Sequence, residues 1–350
     1  MDKNYFEDRD NRAIMRLRII REDLPYFCDE FFVGIENYTS KLSRLNYAYD
    51  LRIFFDFLYK EIREFRSFTY ESFSLEQLNK VNQTYIEQFL EYLNYYKFRG
   101  KYYKNNEKAK ARKLSTIRSF FKYYFNKGKL NSNLASRVKV PKLHEKEIIR
   151  LEVNEVADLL DAVEAGTYLS EKQKSFHFYT KLRDTAIMTL LLGTGIRISE
   201  CVGINIEDID FRVNGFKVTR KGGNSSILYF SQEVAEALKE YLRERLPVES
   251  DTTALFLSLQ NKRMNVRSIQ LLVKKYSKDV TPLKKITPHK LRSTYGTNLY
   301  QETHDIYVVA EVLGHKDINT TKKHYAAISD DIKRQAANSV KLRDKKTDED

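Results

Sequence analysis

Four of the six histidines, His289, His304, His315 and His324, fall between positions 289 and 324. Clustered imidazoles first raise metal binding. No HExxH motif and no Cys/His ligand spacing accompanies them, and their sequence neighbours are Arg, Lys and Thr rather than carboxylates. Cations beside a metal ion are unfavourable, so no metal is expected. The same residue types suit an anion. His289 and Arg292 stand i, i+3 at the start of a helix opened by Thr287-Pro288, where backbone N–H groups favour negative charge. Arg197 follows the stop Gly193-Thr194-Gly195, Lys221 opens a KGGN turn, and His315 follows Leu313-Gly314. Functional groups concentrate at such element ends, and a guanidinium fork matches phosphate oxygens. Singly, each of these reads as an ordinary surface cation or cap. Together they have a common cause in a phosphate-like ligand.

Those ends belong to a mixed second half. A helix begins near Glu152, and LRDTAIMTLLL (182–192) reads as a buried helix that Gly193-Thr194-Gly195 stops. GFKVTR, KGGN and SSILYF read as a β-hairpin from alternation around a Gly-Gly turn. Helices follow at 232–246, 266–276, 287 onward, 305–313, 319–327 and 330–340, and the tail KLRDKKTDED is polar.

The first half is helical by period. Leu51, Phe54, Phe55, Leu58 and Ile62 form one stripe, Ile86, Phe89, Leu90 and Leu93 a second, and Leu114, Ile117, Phe121 and Tyr124 a third. These apolar residues read as core. The third helix, taken to begin at Lys101, carries eight basic residues and one acid, Glu107, up to Lys122. Its candidate nucleic-acid contacts are Lys104, Lys108, Arg112, Lys113, Ser115, Arg118 and Lys122; a solvated cationic face is the equal alternative. The expected division is a helical DNA-binding domain at 1–140 with a short N-terminal extension, a linker at 141–148, a catalytic domain at 149–340 and a tail at 341–350.

Composition agrees with a polyanion partner. The chain has 350 residues, 61 Lys+Arg against 48 Asp+Glu and a net charge of +13, which points to nucleic acid. No run of about 18 apolar residues offers a membrane span, and no signal-peptide h-region is visible. Two cysteines, Cys28 and Cys201, exclude a disulfide framework, and a cytoplasmic, nucleoid-associated protein is expected.

The motifs GTGIRISE, RKGGN, TPHKLRSTYGT and VLGHKDINTT, followed by Tyr325, occur in the order that resembles the tyrosine recombinase (phage integrase) family. VTRKGG, TALFLSL, VTPHKLR and an LPYF segment before the first helix bring the likeness nearest to XerS-type, single-protein Xer recombinases. Ser293 stands where many relatives have His, and the spacing from His315 to Tyr325 is one residue longer than in many of them.

The resemblance implies a mainly α fold with a small antiparallel sheet in the catalytic domain, arranged as a two-domain C-clamp. It implies that Arg197, Lys221, His289, Arg292 and His315 surround a scissile phosphate and that Tyr325 is the nucleophile forming a 3′-phosphotyrosine, with Glu200 as a supporting residue orienting Arg197. No cofactor is needed, because the covalent link conserves the bond energy. Expected partners are double-stranded DNA carrying a specific recombination site, a homotetramer on two such sites that passes through a Holliday junction, and a DNA translocase. The 330–342 helix is expected to pack on a neighbouring subunit. Chromosome dimer resolution is the expected role. The rival roles are a mobile-element integrase or a type IB topoisomerase-like enzyme on the same fold, and a non-catalytic DNA-binding regulator.

Overall fold

The computed structural model describes residues 5–142, 149–220 and 223–314. They fall into two compact units, 5–142 and 149–314. Both are mainly helical, with small antiparallel sheets.

The first unit runs α1 (Tyr5–Arg21), α2 (Cys28–Gly34), α3 (Lys41–Glu61), α4 (Leu75–Lys80), α5 (Gln83–Tyr92), β1 (Tyr96–Phe98), β2 (Lys101–Tyr103) and α6 (Glu107–Asn126). Ser40, Ser74, Asn82 and Asn106 cap α3 to α6 with side-chain acceptors, which explains why those helices start where they do. The three predicted stripes face one core. Leu51, Phe54, Phe55 and Leu58 of α3 bury with Ile86 and Phe89 of α5 and with Leu114, Ile117, Phe121 and Tyr124 of α6. Phe54 meets Phe89 edge-on, centroids 5.2 Å apart, the geometry that ring quadrupoles favour.

Three expectations change here. The N-terminal stretch is no simple extension: α1 buries Ala13, Leu17 and Ile20 and packs on α3. Leu24 to Phe27 therefore follow the first helix rather than precede it. The basic segment from Lys101 is not one helix either, since Lys101–Tyr103 pairs with β1 and α6 starts only at Glu107. The strand register ends at Tyr103 and Asn106 caps the helix, which separates the two periodicities.

In the second unit, α7 (Val153–Ala165) leads to α8 (Glu171–Thr194), a 24-residue helix on which α7, α10 (Gln232–Arg245) and α12 (Pro288–Thr303) pack. From Asp184 to Leu192 every residue of α8 is buried, as an all-round apolar helix must be. The one acid there, Asp184, accepts from Arg183 Nη2 at 2.7 Å, Tyr276 Oη at 2.9 Å and Lys275 Nζ at 3.2 Å, which compensates its burial. Between α8 and α10 lie α9 (Ile198–Gly203) and the antiparallel sheet β3 (Ile209–Asp210), β4 (Gly215–Thr219), β5 (Ser225–Tyr229). The predicted hairpin is β4–β5; β3, two residues long, is additional. α11 (Val266–Val280) and α13 (Ile306–Leu313) complete the described elements. Thr287 and Pro288 open α12 as the sequence indicates.

Candidate active site

The site is built around the end of α13. The last carbonyls of any helix lack intrahelical partners and carry its negative dipole end. Here three consecutive ones each receive a guanidinium. Arg220 Nη2 donates to Val312 O at 3.0 Å, Arg292 Nη2 donates to Leu313 O, and Arg197 Nη2 donates to Gly314 O at 2.8 Å. Gly314 closes the helix with φ +61°, the left-handed cap that glycine adopts without penalty.

Each arginine comes from a different element end. Arg197 sits between α8 and α9 because Gly195, at φ +58°, turns the chain there. A Cβ on Gly195 would meet Tyr295 at 2.4 Å and Leu313 at 3.0 Å, so the turn also needs the missing side chain. Glu200, 3% exposed, fixes Arg197 twice: Oε2 accepts its backbone N–H at 3.1 Å and Oε1 its Nη1 at 2.8 Å. Glu200 is thus buried and bonded to both the backbone and the guanidinium of Arg197. Arg292 lies in the first turns of α12, is 6% exposed, and donates Nη1 to Gly195 O at 2.6 Å. It ties the Gly195 turn to the end of α13. Arg197 keeps about a third of its side chain in solvent.

His289 is exposed near the start of α12. Ser293, one turn on, donates its hydroxyl to His289 O at 3.0 Å, so it turns back on its own helix. Lys221, His315 and Tyr325 lie outside the described residues, as does the 330–342 segment. Arg220 immediately precedes Lys221 and Gly314 immediately precedes His315.

Arg220 is the residue that sequence reasoning missed. Its Nε donates to Ser226 Oγ at 2.6 Å, which holds it against β5. Its Nη1 is buried with no hydrogen-bond partner among the described residues. Burial pulls its pKa below the ordinary arginine range; the Glu200 carboxylate opposes that and the Arg197 guanidinium adds to it. The available signal was position, a cation at the end of a strand beside a turn, but the adjacent Lys221 matched the motif and drew the reading.

The basic face of the first unit divides. Lys104, Lys108, Arg112, Ser115 and Lys122 are exposed. Lys113 is buried, with Nζ 3.2 Å from Asn105 Oδ1 and 3.6 Å from Asp50. Arg118 is half-buried and donates Nε to Ala135 O at 3.2 Å and Nη2 to Val138 O. Neither of these two presents an open cation. The buried Asp50 draws Lys113 inward and also accepts from Arg112 and, at 2.9 Å, from Thr116 Oγ1.

A model of the phage integrase family matches residues 150–331. The chain belongs to that family, the tyrosine recombinases. The tyrosine recombinase XerC of Caldanaerobacter subterraneus subsp. tengcongensis is 33% identical over 304 residues, 85% of this chain and 80% of the relative. XerC of Thermodesulfovibrio yellowstonii is 36% identical over 218 residues, 61% of this chain and 69% of the relative. Two solved structures share the fold. XerH site-specific recombinase bound to palindromic difH substrate, a post-cleavage complex, has a TM-score of 0.64 at 17% identity, covering 86% of this chain and 80% of that one. The Tn1549 transposon integrase in complex with circular intermediate DNA has 0.61 at 19%, covering 89% and 99%. In this tyrosine recombinase the family match encloses Arg197, Glu200, Arg220, Arg292 and Gly314. It also encloses Lys221, His289, His315 and Tyr325. No helix among the described residues is long and apolar enough to cross a membrane.

Proposed function

We propose that this site-specific tyrosine recombinase of the Xer type breaks and rejoins duplex DNA with Arg197 and Arg292 as the groups that receive the scissile phosphate. The observation that supports this is the arginine cluster on Val312, Leu313 and Gly314. Three guanidinium groups are held in place by backbone carbonyls and Glu200. Cations fixed in advance stabilise the charge that gathers on non-bridging phosphate oxygens without reorganising during the reaction.

The remaining steps fall to residues the family resemblance assigns. The Tyr325 phenolate oxygen attacks phosphorus, a 3′-phosphotyrosine bond forms and the bond to the 5′-oxygen breaks. Lys221 supplies the proton to that leaving oxygen as general acid. A phenol ordinarily titrates near ~10, so its attack needs cationic neighbours or a base, and the resemblance gives that assisting part to His289. His315 donates a hydrogen bond to the phosphate. A 5′-hydroxyl from a second duplex reverses the step, giving a Holliday junction in a homotetramer on two DNA sites. Resolution of chromosome dimers, with a DNA translocase as activating partner, is the biological role this chemistry fits, in the cytoplasm with the nucleoid.

The test is a suicide duplex, nicked near the cleavage point and drawn from chromosomal terminus DNA. The wild-type chain is expected to form a denaturant-stable protein–DNA adduct that maps to Tyr325, and Tyr325→Phe to form none. An adduct that survives Tyr325→Phe, or no adduct on any terminus fragment, overturns the reading.

A further inference from the structure

The stretch Leu93–Asn106 contains four Lys or Arg, four Tyr and no acid. It folds as the β1–β2 hairpin, with Tyr96 opposite Tyr103, Lys97 opposite Tyr102 and Phe98 opposite Lys101. Arg99 (φ 47°) and Gly100 (φ 79°) make its two-residue turn, both in the left-handed region that such turns require. Alternation decides what each face does. Tyr96 and Phe98 point into the helical core. Lys97 and Tyr102 point away from it.

On the outward face, Tyr95 stacks on Tyr102 with centroids 5.2 Å apart and planes 10° apart. The two rings are 66% and 60% exposed. Lys97 Nζ lies 5.7 Å from the Tyr102 ring centre. Lys104, just past β2, is also exposed. The platform is held firmly from behind. Arg52 and Arg99 both pair with Asp23, and both guanidinium groups lie over the Phe98 ring, at 5.3 and 5.8 Å. Asn105 donates its backbone N–H to Leu93 O at 3.0 Å and accepts from Lys113 Nζ at 3.2 Å, fastening the hairpin to α6. Tyrosine, with two χ angles, presents its hydroxyl at low conformational-entropy cost, and tyrosine hydroxyls and lysine ammonium groups are donors of the kind that grip phosphate oxygens.

We propose that the outward face of this hairpin, Tyr95, Lys97, Tyr102 and Lys104, is a separate contact for the phosphate backbone of duplex DNA, additional to the exposed face of α6. The inference rests on the reading of DNA as substrate but is tested by binding alone. The probe is a random-sequence duplex, titrated with the full chain between about 50 and 200 mM salt. Each phosphate neutralised contributes about 0.9 to the slope of log K on log salt. Lys97→Gln with Lys104→Gln is therefore expected to reduce that slope by about 1.8. Tyr102→Ala is expected to weaken binding several-fold and leave the slope alone, because the tyrosine is neutral. Lys60→Gln with Lys80→Gln removes two exposed lysines already paired with Asp56 and Glu76 and is expected to leave the slope unchanged. A Lys97→Gln, Lys104→Gln variant with the wild-type slope, a Tyr102→Ala variant that binds as tightly as wild type, or a control variant with an equal fall in slope overturns the proposal. All variants alter exposed side chains, and unchanged thermal melting shows that the fold is retained. Failure of the recombinase reading is seen elsewhere, in the wild-type adduct assay, and does not enter these slopes.

Discussion

The guanidinium of Arg220 occupies the space a side chain at Gly314 would need: a Cβ there would lie 1.6 Å from Arg220 Nη1. The two residues are 94 positions apart in sequence yet set one turn, the one that closes α13. Gly314→Ala meets two penalties. The left-handed backbone costs about 1–2 kcal/mol, and displacing Arg220 costs about 1–3 kcal/mol more. Chemical denaturation is expected to show both. Adding Arg220→Ser to Gly314→Ala is expected to return the steric part of the stability, while adduct formation on the nicked duplex stays at least about 10-fold down. A double variant as unstable as the sum of the two singles would deny the coupling.

Arg292 bridges two turns by geometry that only a fork supplies. Its nitrogens reach Gly195 O and Leu313 O, which lie at the C-terminal ends of two different helices. Lysine keeps the charge but presents a single nitrogen. Arg292→Lys is expected to strand one carbonyl and cost about 2–3 kcal/mol of stability. Single-turnover cleavage, measured well below the melting transition, is expected to fall by about 10²-fold or more. Cleavage at the wild-type rate in the folded variant would remove Arg292 from the phosphate site.

How much of this was legible in the sequence depends on the range of the interactions. The stop of α8 at Gly195, Pro288 at the start of α12 and the β4–β5 hairpin are local, and residue type alone marks them. The stripes on α3, α5 and α6 are periodic and equally plain. β2 reads as the start of a helix because Lys and Tyr fit either state; the Arg99-Gly100 turn carries the signal. α1 hid because its buried stripe of Ala13, Leu17 and Ile20 is narrow and surrounded by charge. The inward turn of Lys113 depends on Asp50, and the role of Arg220 on Gly314, pairings that no local pattern reveals.

Both cysteines are buried, and burial pushes their thiols up, Cys201 to about 12 with the Glu200 carboxylate adding to the effect. An unfolded thiol titrates near about 8.5. Native protein at pH 8 is therefore expected to resist alkylation at both sites, and labelling is expected to track unfolding in denaturant. The linkage sign follows from the same shift. Above about pH 8.5 the unfolded chain releases thiol protons that the native chain retains, so stability falls as pH rises from there toward about 12. Rapid native labelling of Cys201 at pH 8 would contradict its placement.

Asp50 is the group on which the cationic face of α6 depends. It is 1% exposed and accepts from Arg112 and Thr116, with Lys113 Nζ 3.6 Å away. Burial lowers the Lys113 pKa, and the Asp50 carboxylate pulls it back up. Asp50→Asn keeps the shape and removes the charge, so Lys113 is left buried beside Arg112 with its main compensation gone. Breaking a buried pair in this way costs about 3–5 kcal/mol; exposure of Arg112 places the expected loss at the low end. With its folded pKa depressed further, Lys113 holds fewer protons in the native state than in the unfolded one, so the variant regains stability as pH rises toward about 10.4. Wild-type protein, in which the Asp50 carboxylate limits the lowering of Lys113, is expected to show a smaller gain, and the cysteine effect, common to both, cancels in the difference. Denaturation midpoints of the two proteins from pH 7 to 10 check the slope. A difference that stays flat across that range would place the missing charge elsewhere than on Lys113.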